Sequence, residues 1–252
     1  MKYVFLSPHL DDAVLSCGAI IHYLINQGNS VKILTIFSGD PLNSDFTPFA
    51  QELHTRWQLP NNPISKRRDE DLNAANILGA KSIYLQIPDC IYRTDIEGNP
   101  VIMREEDLFQ DIPPSQNYLV NEIKELISDF YSIDTSIVSP LGIGGHLDHR
   151  ITVAAVNLLP SNNLLFYQDF PYINQETNQT FQINSLDDMF TEFPLSTQDI
   201  NAWYKAIAAY QSQISTFWKN NESMIQEVLD FVNRGGGKKL IKMKGIKKRS
   251  TN

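Results

Sequence analysis

The chain has 252 residues, 42% of them hydrophobic, and a formal net charge of −8. That length and apolar content suit one large core, so a single domain is the default. The charge is uneven: residues 238–252 carry seven Lys or Arg and no acid, leaving 14 basic against 29 acidic side chains and a body near −15, which argues against general nucleic-acid binding because that affinity rests on neutralising phosphates.

The amino terminus, with one Lys and few apolar residues, does not read as a secretory signal, and no run approaches the ~18 apolar residues of a transmembrane segment. A cytoplasmic protein is expected. Two isolated cysteines, Cys17 and Cys90, make no disulfide framework and fit a reducing compartment.

Residues 3–6 predict a short buried strand and residues 13–23 a helix, with Ser7-Pro8-His9-Leu10-Asp11-Asp12 between them. Residues 30–37, β-branched and apolar, predict a second strand entered through a turn at Gln27-Gly28-Asn29. Residues 41–62 lack periodicity and read as a long loop with a short helix near 49–57. In 65–78 the helical spacing of Leu72, Ala75, Ile77 and Leu78, with Gly79 past the end, predicts a helix packed on that face. Residues 81–87 predict a third strand closing at Pro88-Asp89-Cys90, and 91–114 a polar loop. Residues 118–131 predict a helix with Leu119, Ile123, Leu126 and Ile127 inward, and 135–139 a fourth strand. A turn through Pro140 to Gly145 then delivers His146-Leu147-Asp148-His149 to the head of a helix over 146–159. Residues 164–168 read as a fifth strand followed by Asp169-Phe170-Pro171-Tyr172, 173–185 as a β-hairpin, and 200–217 and 223–232 as late helices.

Strands alternating with helices at these lengths specify parallel pairing with right-handed crossovers. The expected fold is α/β: a doubly wound, mostly parallel sheet flanked by helices, Rossmann-like, over residues 1–237. Residues 238–252, after Gly235-Gly236-Gly237, read as a basic C-terminal tail, either solvated or in contact with an anionic surface.

Two clusters share a His-Leu-Asp core and sit at strand carboxyl ends, where open α/β sheets place their chemistry. His9, Asp12 and His149 supply two imidazoles and one carboxylate and leave coordination positions open. Hydrolytic zinc (Zn2+) and oxidative ferrous iron (Fe2+) both use such a set. Asp11 is then the spare base. His146, one turn from His149, could stabilise an oxyanion as imidazolium. Asp148 is either a carboxylate orienting a histidine or a surface charge of the helix. His22, in a helix, and His54, in a loop, read as structural or solvent-exposed.

These elements resemble the LmbE-like or PIG-L deacetylases, zinc hydrolases that remove the N-acetyl group from N-acetylglucosamine-containing compounds. The resemblance lies in Pro8-His9-Leu10-Asp11-Asp12 and His146-Leu147-Asp148-His149, with lesser matches along most of the chain. It implies His9, Asp12 and His149 as zinc ligands, Asp11 as base and His146 as electrophilic or acid partner. Arg67-Arg68-Asp69-Glu70 looks like a family helix whose arginine contacts substrate hydroxyls, Arg67 fitting that register best and Arg68 next. Asp40 and Asp89 are similar to family acidic residues at strand ends, and residues 206–213 to a late family helix. Cys90 stands where many members have glycine, and Asp40 where glutamate is more usual. Phe170 and Tyr172 could stack on a sugar or simply pack.

The resulting expectation is a deacetylase acting on a small-molecule amino-sugar conjugate, compatible with a homo-oligomer and needing no nucleic acid. The competing expectation is a sugar-binding accessory protein with a structural metal. A nucleotide-binding fold is disfavoured, because no glycine-rich phosphate loop follows the first strand.

Overall fold

In the computed structural model, residues 1–61, 63–175 and 189–242 are described. The chain runs β1 (Lys2–Ser7), α1 (Asp12–Asn26), β2 (Ser30–Thr35), α2 (Pro48–Arg56), α3 (Pro63–Leu78), β3 (Lys81–Tyr84), α4 (Tyr118–Ser128), β4 (Thr135–Pro140), α5 (Leu147–Val156), β5 (Leu164–Tyr167), β6 (Met189–Glu192), α6 (Thr197–Ile207), α7 (Gln211–Phe217), α8 (Asn221–Asn233) and β7 (Lys239–Lys242). Seven strands form one sheet in the order β3-β2-β1-β4-β5-β7-β6. The first five pair in parallel and the last two add antiparallel. No helix among the described residues is long and apolar enough to cross a membrane.

Alternation along the strands sorts the core onto two faces. Val4, Leu6, Leu34 and Ile137 bury against α4 and α5 through Leu119, Ile123, Ile127 and Ile151. Phe5, Val31, Ile33 and Val138 bury on the opposite face against Ile20 of α1, Ala74 and Leu78 of α3 and Ala206 of α6. Trp203 of α6 is wholly buried and donates its indole N–H to the Val14 carbonyl at 2.7 Å, locking α6 onto α1. Each of β1 to β5 thus points its carboxyl end at one edge of the sheet, and loops of unequal length leave from there.

Three details depart from the sequence reading. The buried face of α3 carries Ile64, Arg67, Asp71, Ala74, Ala75 and Leu78, whereas Leu72 and Ile77 are 46% and 41% exposed. Two charged residues occupy the inward stripe because buried partners receive them: Asp11 for Arg67, and the Tyr210, Tyr84 and Ser82 hydroxyls for Asp71. The helix expected over 200–217 is two helices, broken around Tyr210, whose hydroxyl is tied to Asp71 at 2.7 Å. Lys239–Lys242, expected within the basic tail, is a strand inside the sheet, since Leu240 and Ile241 bury on opposite faces. Residues 243–252 lie outside the described residues, as does most of the hairpin expected over 173–185.

Candidate active site

The loop after β1 turns on Ser7, whose hydroxyl donates to the His9 carbonyl at 2.6 Å and accepts from the Ala13 N–H at 3.0 Å. The Asp12 carboxylate accepts the His9 backbone N–H at 2.7 Å. These bonds fold His9, Asp11 and Asp12 into one tight corner beneath the head of α1. The second corner follows β4, where Gly142, Gly144 and Gly145 adopt φ of 80°, 91° and 74°. This left-handed backbone favours glycine, and it swings His146 to the N-cap of α5, where its Nδ1 accepts the Asp148 N–H at 3.3 Å.

The two corners meet. Asp12 Oδ2 lies 3.4 Å from His9 Nδ1 and 3.2 Å from His149 Nε2. The far nitrogen of each ring is held by a buried carboxylate: His9 Nε2 by Asp148 at 3.1 Å, and His149 Nδ1 by Asp169 at 2.8 Å. A carboxylate behind each imidazole fixes its tautomer and aims the other nitrogen, the arrangement of metal-ligating histidines. The decisive atom is His149 Nε2, which is buried with no hydrogen-bond partner: despite its 3.2 Å approach to Asp12, the alignment is not that of a hydrogen bond. A buried imidazole nitrogen with no partner fits a metal ligand.

His146 also brings a nitrogen within 4.8 Å of those of His9 and His149, and Cys90-His146-Asp148 and His9-Asp89-Asp148 form overlapping groups. The groups containing Asp148 suit a cation poorly. Its oxygens already accept from the Arg93 guanidinium at 2.5 Å, the Cys90 N–H at 3.0 Å and His9, so a cation there would sit beside a guanidinium.

Charge follows the same geometry. Burial opposes charging His149, yet the Asp12 and Asp169 carboxylates overturn it and raise its pKa to about 9. Burial likewise opposes charging His9, and Asp89, Asp12 and Asp148 raise it well above the ordinary value. The carboxylates around the two rings thus favour positive charge at both. Burial and the adjacent Asp12 push Asp11 up to about 7, while Arg67, 3.5 Å away, pulls it down. His146 behaves oppositely: burial and the neighbouring His9 and His149 hold it well below the usual imidazole value. With Nδ1 accepting the Asp148 N–H, the neutral ring would carry its proton on Nε2.

Above this cluster lies a cavity of about 230 Å³ lined by His9, Asp11, Asp12, Arg67, Asp89 and His146 among others. Arg67, 4% exposed, stacks on the Trp57 ring at 4.6 Å, while Asp89 caps the turn at Ile91 with its other oxygen 3.7 Å from His9. Arg68 and Asp40 are not in this cavity. They pair with each other at 2.8 Å, Arg68 also donating to the Ser38 carbonyl, so this pair fastens α3 to the loop after β2. Asp148 is fully buried and reaches His9 rather than the cavity, so it is not a surface charge of the helix. His54 bonds the Tyr92 hydroxyl and His22 bonds Asp199, both away from the cluster.

Sequence reasoning missed Asp169 and Arg93. Asp169 follows β5 directly, a strand-end position like those of the recognised clusters, and that signal was available. Arg93 lies in an irregular loop 55 residues from the carboxylate it clamps, and no local pattern marks it.

A family model described as GlcNAc-PI de-N-acetylase (PIG-L) matches residues 4–159. A 2'-N-acetylparomamine deacetylase from Niallia circulans is 33% identical over 192 residues, covering 69% of this chain and 68% of that protein. Another from Streptomyces fradiae is 23% identical over 189 residues, covering 69% and 58%. Among solved structures, the zinc-inhibited form of teicoplanin deacetylase Orf2 superposes with a TM-score of 0.77 at 24% identity, over 96% of each chain. An N,N'-diacetylchitobiose deacetylase from Pyrococcus horikoshii gives 0.54 at 15% identity, over 94% and 81%. These structural likenesses establish the shared α/β fold.

Proposed function

We propose, from the premise that the chain belongs to the GlcNAc-PI de-N-acetylase (PIG-L) family, that it is a zinc-dependent hydrolase removing the N-acetyl group from an N-acetylglucosamine-containing glycoside. The observation that carries the reading is the partnerless His149 Nε2 facing Asp12, with Asp11 left outside the ligand set. His9, Asp12 and His149 would hold the metal. Three protein ligands with positions left open suit a catalytic zinc better than a structural one, which is normally closed by four. Bound there, zinc supplies a Lewis acid for the acetyl oxygen and a water acidified from a pKa near ~16 towards ~7.

The side chains do the rest. Asp11 faces the cavity and takes the proton that the attacking water loses, then returns it to the amine nitrogen as the C–N bond breaks, leaving acetate and a free amine. His146 donates its Nε2 proton as a hydrogen bond to the oxyanion developing on the acetyl carbonyl. Asp148 and Asp169 aim the two ligand imidazoles. Arg67, stacked on Trp57, offers guanidinium N–H groups to sugar hydroxyls, and Asp89, also lining the cavity, accepts from one. Paromamine-type amino sugars are the first candidates, because two relatives bear that activity.

Acetate release from 2'-N-acetylparomamine and simple N-acetylglucosaminides, measured before and after chelation and zinc readdition, tests the reading. Release that disappears on chelation and returns with zinc is expected. A zinc-loaded protein that binds these glycosides and never releases acetate would be an accessory protein instead.

A further inference from the structure

Because α6 stops at Ile207 and α7 restarts at Gln211, the Ser212 N–H falls in a first helical turn, where it has no intrahelical carbonyl. Glu70, from the outer part of α3, reaches across to it. One carboxylate oxygen accepts the Ser212 N–H at 2.9 Å and the other accepts the Ser212 hydroxyl at 2.5 Å. The next side chain, Gln213, is 3% exposed, lines the same cavity as His9, Asp11 and Arg67, and lies 2.9 Å from the Ser212 Oγ.

Proton counting fixes the orientation of that amide. A serine hydroxyl has one hydrogen, and Glu70, an acceptor, has taken it. The Ser212 oxygen can only accept from Gln213, so the atom beside it is Nε2. With Nε2 spent on Ser212, the carbonyl oxygen is the amide atom that takes no hydrogen bond among the described residues, on a side chain that lines the cavity. Arg67 and His146 bring donors to the cavity, while the Gln213 oxygen is a neutral acceptor.

We propose that Gln213 is a specificity-determining residue whose side-chain carbonyl, held toward the cavity by the Glu70–Ser212 relay, accepts a hydrogen bond from a hydroxyl or amino group of the substrate. The inference rests on the deacetylase reading for the identity of the substrate, a sugar, whose hydroxyls are donors of this kind. A buried acceptor penalises an analogue lacking the matching donor, since the oxygen is then left desolvated and unpaired. Glu70 and Ser212 are positioning residues: they decide which end of the amide the substrate meets.

The test compares an N-acetylglucosaminide with its set of mono-deoxy analogues on the zinc-loaded wild type, Gln213→Leu and Ser212→Ala. In the wild type one deoxy analogue should show kcat/KM lower by about 5- to 10-fold, the loss of one hydrogen bond to a buried neutral group. In Gln213→Leu that penalty should vanish, with KM for the parent raised about 3- to 10-fold and kcat within about twofold. Ser212→Ala, which frees the amide to rotate, should fall between. A merely structural Gln213 would change stability and leave the ranking of analogues untouched, and an unchanged ranking overturns the proposal. Titration of the same sugars into zinc-loaded Asp11→Asn protein, with and without Gln213→Leu, reads recognition apart from turnover. No acetate release from the zinc-loaded wild type, together with Gln213-dependent binding in the Asp11→Asn protein, sinks the deacetylase reading alone, whereas binding indifferent to Gln213 sinks this one.

Discussion

Replacing Asp169 with asparagine tests the support behind the candidate metal site without touching a ligand. Asp169 is 2% exposed and serves two masters: Oδ1 binds His149 Nδ1 at 2.8 Å, and Oδ2 accepts the Gly142 and Ile143 N–H groups at 2.9 and 3.1 Å. The asparagine carbonyl can replace only one of these oxygens. Two backbone donors outweigh one, so the carbonyl should stay on the turn and the amide NH2 should face His149. Nδ1 must then accept, the proton moves to Nε2, and the nitrogen aimed at Asp12 can no longer bind a metal. Loss of a carboxylate behind a ligating histidine lowers metal affinity about 10- to 100-fold, or roughly 1.4–2.7 kcal/mol. Competition for zinc against a chromogenic chelator reads this directly, and circular dichroism checks that the fold persists. Wild-type affinity in a folded Asp169→Asn protein would refute the assignment of His149 Nε2 as a ligand.

Asp11→Asn should keep stoichiometric zinc and lose about 10²- to 10⁴-fold in kcat, the usual range for a general base; near-normal acetate release would discard that role. Arg93→Met strands the fully buried Asp148 carboxylate, which the guanidinium holds well below its ordinary pKa against the pull of burial. Urea titration should show about 3–5 kcal/mol lost, as for one partner removed from a buried ion pair, and a change under 1 kcal/mol would mean other groups carry that charge. Gly18→Ala places a Cβ against the Trp203 indole and should cost about 1–3 kcal/mol by overpacking, seen as a lower Tm. Asp199 provides the pH test. Burial would raise its pKa, but hydrogen bonds with Ser196 and His22 outweigh burial and depress it. A depressed carboxyl stabilises the fold above its unfolded pKa of about 4, and that stability fades as pH falls through the folded value. Wild-type and Asp199→Asn stabilities should differ at pH 6 and converge in acid; a gap that widens in acid would reverse the sign.

What the sequence disclosed was local. His9 with Asp12, and His146 with His149, are close neighbours in the chain at strand ends, so spacing alone put them on one edge of the sheet. The parallel sheet followed from the alternation of elements. Contacts between distant segments were not legible: Arg93 on Asp148 and Glu70 on Ser212 depend on loops whose course no periodicity records. On α3, apolar spacing found Ala75 and Leu78 but added the exposed Leu72 and Ile77, because Arg67 and Asp71 turn inward where polar partners meet them. Nothing near Ala208-Ala209 announces the break before α7, since alanine favours helix; the Tyr210–Asp71 bond accompanies it. Lysines at 238, 239 and 242 disguised β7, whose two central residues are wholly buried.

Diffraction at the zinc absorption edge from crystals of the zinc-loaded protein bears most directly on the account. One anomalous peak is predicted at about 2.0–2.2 Å from His9 Nδ1, Asp12 Oδ2 and His149 Nε2, with Asp11 beside it and unbound. A peak instead at Cys90, His146 and Asp148, or none near Asp12, would contradict the assignment of the centre on which the hydrolase mechanism stands.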